Sequence, residues 1–307
     1  MTLRTVFAVG AIAAATAIGA GCGGGDSNGG GAITADGSST VGPYVTSAAE
    51  SFRDESGTDV TVGISGTGGG FERFCLGETD LSNASRPIDE DEVAICEENG
   101  VGYVELQVAN DALTVVVNNA NDWATCLTVD ELNAIWKPGS TVKSWSDVRD
   151  TFPDRPLQLF GPGTDSGTFD YFTEVINGDG GASRTDYQAS EDDNVLVQGV
   201  KGTEGGMGYF GFSYYEENQA ALKALEIDGG SGCVAPSVEA AQGGEYVPLA
   251  RPLFVYASTE ALGRAEVEDF LRYMLENETE IAERAQYVPL NQTQIDENLA
   301  KLDEATG

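Results

Sequence analysis

The chain has 307 residues, with 16 Lys and Arg against 50 Asp and Glu, no histidine, and a formal charge of −34. So acidic a chain lacks the clustered cations that neutralise nucleic-acid phosphates or dock on an anionic membrane surface, which excludes both kinds of binder. The missing histidine removes Ser-His-Asp and Cys-His nucleophile systems and every His-containing metal site.

In chain order, residues 1–21 read as a secretory signal: Arg4 forms a small positive n-region, an apolar run spans Val6 to Ala20, and Gly19-Ala20-Gly21 precede Cys22. The competing reading is a transmembrane anchor, but the run falls short of the ~20 apolar residues such a span needs. A cysteine directly after such a signal resembles the lipobox of bacterial and archaeal lipoproteins, with Gly19 where Leu is usual and Ile18 one step earlier. Lipidation of Cys22 is the expectation. Residues 23–32, almost all Gly, Ser, Asn and Asp, read as a flexible tether.

Beyond the tether, apolar runs at 59–64, 101–107, 112–118 and 157–161 predict strands. Helical patterns fall at 43–54, 69–76, 128–136, 168–177, 212–226, 258–274 and 277–286. This alternation predicts an α/β architecture with helices covering sheets, and the length suits two lobes of about 130 residues. The acidic runs Asp89-Glu90-Asp91-Glu92 and Glu191-Asp192-Asp193 read as helix starts or solvated surface rather than metal sites. Cys75, Cys96, Cys126 and Cys233 form an even set in an exported chain, which suggests disulfides. Three connectivities are open to them, of which Cys75–Cys96 with Cys126–Cys233 is the one expected; a zinc site competes, without any Cys-x-x-Cys pair.

Three segments place hydroxyls and unhindered backbone N–H groups at a helix start. They are Gly37-Ser38-Ser39-Thr40-Val41-Gly42-Pro43, Ser65-Gly66-Thr67-Gly68-Gly69-Gly70 and Gly161-Pro162-Gly163-Thr164-Asp165-Ser166-Gly167-Thr168-Phe169. The orphan amides and positive dipole end of a helix start favour an anion. Any one of these loops is more readily an ordinary cap and turn; three in one chain point to a shared ligand. None is a Walker A loop or a dinucleotide fingerprint. A fourth segment, Thr79-Asp80-Leu81-Ser82-Asn83-Ala84-Ser85-Arg86-Pro87, reads either as a solvated turn or as a carboxylate and a guanidinium for a protonated oxyanion.

These four segments, in this order, resemble the phosphate-binding proteins of Pst-type ABC transporters, as do Gly205-Gly206-Met207-Gly208-Tyr209 and Tyr246-Val247-Pro248-Leu249-Ala250-Arg251-Pro252-Leu253, the latter similar to the family's return crossing between lobes. The resemblance implies a two-lobed, type II-like periplasmic-binding-protein clamshell, with lobe 1 at 33–109 plus 251–307 and lobe 2 at 110–250. Inorganic phosphate would be held in the cleft and delivered to membrane permease subunits, by an exported, periplasmic or cell-surface monomer anchored through Cys22. By the same resemblance, Thr40 and Val41 match the first contact loop, Ser65 the second hydroxyl, Asp80 the aspartate, and Ser166, Gly167 and Thr168 the loop that caps the ligand from the other lobe. Many members carry an arginine where Pro162 stands, so Arg86 is the candidate cation and Arg155 the reserve. Asp80 would accept the ligand's proton and so reject sulfate. No cofactor, metal or nucleic acid is expected. The rival readings are a binder of sulfate, molybdate or phosphonate, and an extracellular phosphatase using Ser166 or Thr40, for which no histidine base exists.

Overall fold

Tyr103–Asn118 forms one continuous strand where the sequence suggests two, because Ala109-Asn110-Asp111 between them is itself buried and paired. The computed structural model describes residues 31–164 and 166–307; the expected signal segment and the expected lipidation site at Cys22 lie outside the described residues. β1 (Ile33–Gly37) leads into α1 (Gly42–Ser56), β2 (Val60–Val62), α2 (Thr67–Cys75), β3 (Leu81–Ala84) and α3 (Glu90–Glu98). The long strand is β4, followed by β5 (Cys126–Thr128), α4 (Val129–Trp136), α5 (Trp145–Val148), β6 (Gln158–Gly161) and α6 (Gly167–Asn177). Next come β7 (Gln188–Ala189), α7 (Asp193–Gly202), β8 (Gly206–Gly211), α8 (Phe212–Asn218), β9 (Leu222–Ala224), β10 (Glu226–Asp228), β11 (Cys233–Val234) and α9 (Val238–Gln242). β12 (Ala250–Ser258), α10 (Ala265–Glu276), α11 (Glu278–Arg284) and α12 (Gln292–Thr306) follow.

The strands of the main sheet run β2-β1-β3-β12-β4-β8-β6-β7, with β9 also on β4. β4 is the common member. It pairs antiparallel with β12 from Tyr103 to Ala112, then with β8 from Leu113 to Val117. Each half has its own apolar core: Tyr44, Phe52, Phe270 and Met274 pack in the first, Trp136, Trp145, Phe172 and Tyr209 in the second. This is the mixed α/β, two-lobed arrangement that the sequence resemblance implies.

Two helix expectations are corrected. The pattern at 212–226 is helical only to Asn218, after which Val116 and Val117 of β4 capture Ala224 and Lys223 in a strand; pairing overrides local propensity there. The helix expected from 258 begins at Ala265, because Ser258 still belongs to β12 and Gly263 closes a short 3₁₀ turn. Both acidic runs do start helices, with Asp89 and Asp192 at the N-cap positions of α3 and α7. The disulfides are Cys75–Cys96, tying α2 to α3, and Cys126–Cys233, tying β5 to β11.

Glu278, 1% exposed, accepts the Leu290 N–H at 2.7 Å. Burial raises its carboxyl from the usual 4.5 to about 7. The folded chain therefore holds this proton more tightly than the unfolded one. Its contribution to stability is full below pH 4.5 and is lost as pH rises to about 7. Glu278→Gln is expected to flatten the melting-temperature profile across that interval; an unchanged slope in thermal melts would assign it to other groups.

Candidate functional site

The first half brings two loops together by close backbone contact. A Cβ on Gly70 would lie 2.5 Å from Gly37 Cα, so α2 can pack on the end of β1 only with glycine there. Asp36, buried on β1, accepts the N–H groups of Gly37 at 2.7 Å and Ser65 at 3.0 Å and pairs with Arg73. Burial pushes its carboxyl up, but the bonds from Gly37, Ser65 and Arg73 outweigh it and hold the group below the usual range. The Gly37–Pro43 and Ser65–Gly70 loops are thereby fixed side by side at the carboxyl end of β1, where ligands gather in open α/β sheets.

Between these loops and α6 lies a cavity of about 290 Å³. Ser38, Ser39 and Thr40 line it from the start of α1, and Gly66, Thr67 and Gly68 from the start of α2. Ser85 and Arg86 enter from the end of β3, with Ser85 Oγ 3.1 Å from Thr67 Oγ1. Asp170, Tyr171 and Glu174 of α6 form the facing wall. The two halves touch here: a Cβ on Gly167 would come 3.3 Å from Thr40 Oγ1.

Arg251 completes the cavity from β12, at the point where the chain crosses between halves. Its Nη2 donates to Thr40 Oγ1 at 3.1 Å, and its guanidinium carbon sits 3.5 Å from the ring centre of Tyr171. Asp111, directly opposite it on β4, is 6% exposed and places Oδ2 3.4 Å from Arg251 Nε. Burial raises the Asp111 carboxyl, and Arg251 opposes that shift. Tyr171 is held in turn by its hydroxyl, which donates to Pro248 O at 2.7 Å.

The expected residues distribute unevenly. Thr40 and Arg86 line the cavity, although Arg86 is already held by both Glu92 oxygens at 2.8 Å. Ser166 caps α6 by accepting the Thr168 N–H; it, Gly167 and Thr168 do not line the cavity, although Gly167 packs against Thr40, which does. Val41 is fully buried, and its N–H is directed to Ser38 Oγ at 3.4 Å. Ser65 turns to Asp36 instead.

Asp80 lies away from this cavity. It precedes β3, whereas Ser85 and Arg86 follow it, and a four-residue strand separates the two ends by roughly 13 Å at ~3.3 Å per residue. Asp80 accepts from Thr34 N at 2.8 Å and Thr34 Oγ1 at 2.9 Å, pairs with Arg264 at 3.0 Å, and lines a different cavity. Arg155, the reserve cation, pairs with Glu204 and lies over Trp123, outside the cleft lining. Arg251, Asp170 and Glu174 line the cavity without having been singled out in the sequence as candidate site residues. Their nearest signal was position: Arg251 sits in the crossing segment, and Asp170 and Glu174 follow the Ser-Gly-Thr loop at helical spacing.

Hydroxyls, helix starts and two guanidiniums, together with the carboxylates of Asp170 and Glu174, surround this small polar hole, a set of groups chemically suited to a protonated oxyanion. The fold and cleft are those of a two-lobed solute-binding protein. A family model described as PBP superfamily domain matches residues 23–278. Protein SphX of Synechocystis sp. is 49% identical over 262 residues, 84% of this chain and 78% of its own length. Phosphate-binding protein PstS of Staphylococcus saprophyticus is 37% identical over 308 residues, 98% of this chain and 95% of its own. The crystal structure of a possible phosphate binding protein from Planctomyces limnophilus superposes with a TM-score of 0.86 at 47% identity, covering 90% of this chain and 99% of that one. The chain belongs to this family of phosphate-binding proteins within the PBP superfamily. The family is one of periplasmic or extracellular solute-binding proteins rather than enzymes, and no helix among the described residues is long and apolar enough to cross a membrane.

Gly70→Ala tests how the loops are placed. The added methyl has backbone in its way, so a loss of about 1–3 kcal/mol in urea unfolding is expected. A variant as stable as the parent would show that α2 can shift away from β1.

Proposed function

We propose that the protein captures inorganic phosphate outside the membrane and passes it to the permease subunits of an ABC importer, tethered by lipid on Cys22. Arg251 carries this reading, because it brings a cation into a hydroxyl-lined cavity from the strand crossing that both halves share. The names of the relatives supply the choice of phosphate among oxyanions. The lobes proposed are 33–109 with 251–307, and 110–250, in keeping with the two separate cores and with movement about 108–111 and 248–252. Phosphate would be held by Thr40, the Gly66–Gly68 backbone, the Ser166-Gly167-Thr168 helix start, Arg86 and Arg251.

The proton-accepting role expected of Asp80 passes to Asp170. It faces the cavity, and burial and the nearby Glu174 charge raise its carboxyl. As a carboxylate it accepts a hydrogen bond from mono- or dibasic phosphate. Sulfate at neutral pH has no proton to offer and meets repulsion. Each charge-assisted bond is worth about 1.5–3 kcal/mol, and ordering costs consume much of the sum.

Calorimetry on the purified chain is expected to show phosphate binding and no sulfate binding. Arg251→Lys keeps a charge for Asp111 but loses the planar guanidinium, its Nη2 bond to Thr40 and its stacking on Tyr171, so phosphate affinity should fall roughly tenfold or more. Asp170→Asn should weaken the rejection of sulfate. Equal phosphate affinity in the Arg251 variant would remove that residue from the site, and a parent protein that binds sulfate in preference would overturn the ligand.

A further inference from the structure

The phosphate cleft carries an anion of its own. Glu174 lines the cavity, its side chain is 61% exposed, and its Oε2 lies 3.9 Å from Arg251 Nη1. Its charge reaches Arg86 on the opposite wall, adding to Glu92 and Asp89 in raising that guanidinium. One carboxylate from the second half thus addresses both cations of the cavity. Asp170 stands four residues earlier on the same helix, and like charges at that spacing disfavour a helix. The dipole at the start of α6 favours Asp170, which lies in its first turn, but gives no such reason for Glu174 one turn further on. The charges that answer it lie across the cleft.

We propose that Glu174 is a specificity-determining internal competitor: its carboxylate occupies the field of Arg251 and Arg86 that an entering anion needs, and only a ligand that repays this displacement binds. The inference rests on the phosphate reading of the same cavity. A protonated phosphate recovers part of the loss by donating to the displaced carboxylate. Sulfate cannot, so Glu174 penalises sulfate more than phosphate. The side chain is exposed enough to swing aside, which keeps the competition modest and reversible.

The experiment is calorimetry of the full chain with inorganic phosphate and with sulfate, comparing the parent, Glu174→Gln and Glu72→Gln. Glu72 is an exposed carboxylate on α2 outside the cavity lining, so its variant controls for the loss of one charge in a −34 protein. Glu174→Gln is expected to bind phosphate roughly three- to tenfold more tightly and to gain more for sulfate than for phosphate, with Glu72→Gln unchanged. Phosphate affinity that is equal or weaker in Glu174→Gln, or tightened equally in both variants, overturns the proposal. A sulfate gain no larger than the phosphate gain overturns the specificity role. A parent that takes up no phosphate removes the underlying reading instead, which separates the two failures.

Discussion

The guanidinium of Arg251 is the point on which the rest of the structure turns. It sits where β4 and β12 pass between the halves, against Asp111 on one side, the Tyr171 ring on another and Thr40 ahead. A charge so largely withdrawn from water is tolerated best when paired and hydrogen-bonded, and these partners come from the crossing, from α6 and from the start of α1. The same contacts that make the charge tolerable therefore fix the two walls of the cavity relative to each other. Removing Asp111 would leave the cation underpaired, and removing Tyr171 would loosen its grip on the second half.

An anion receptor in so acidic a chain needs its attraction to be local. At long range the −34 field repels phosphate, although salt screens it over about 8 Å at physiological strength. Within the cleft the picture differs. Arg86 and Arg251 are offset by Asp170 and Glu174 in the lining, so no net charge is left over to hold a ligand indiscriminately. What remains is directional: helix-start amides, hydroxyls and two forked cations, offered only to a guest that fits among the carboxylates. Selectivity and affinity then come from one short-range arrangement.

The sequence revealed the local parts of this arrangement and missed the long-range ones. The Gly and hydroxyl loops were legible because a helix start is encoded within a few residues, and the loops before α1 and α2 do line the cavity. The disulfides were legible from the even number of cysteines beyond residue 32 and from their spacing. The place of Asp80 was not, because that depends on which end of β3 faces the cleft, and four residues of strand send Asp80 and Arg86 to opposite ends. Arg251 was visible only as part of a crossing. Its partner Asp111 is set by strand register, and nothing local to either residue announces the pairing. The segment at 218–226 failed for a related reason: its residues favour helix, and β4 pulls part of it into the sheet.

The most direct test of the account is a crystal structure of the protein grown with inorganic phosphate. The account places a tetrahedral anion between the Ser38–Thr40 loop, the Gly66–Gly68 backbone and the start of α6, within hydrogen-bond reach of Arg251. An anion seated instead beside Asp80 and Arg264, or a cleft left without one at saturating phosphate, would contradict it.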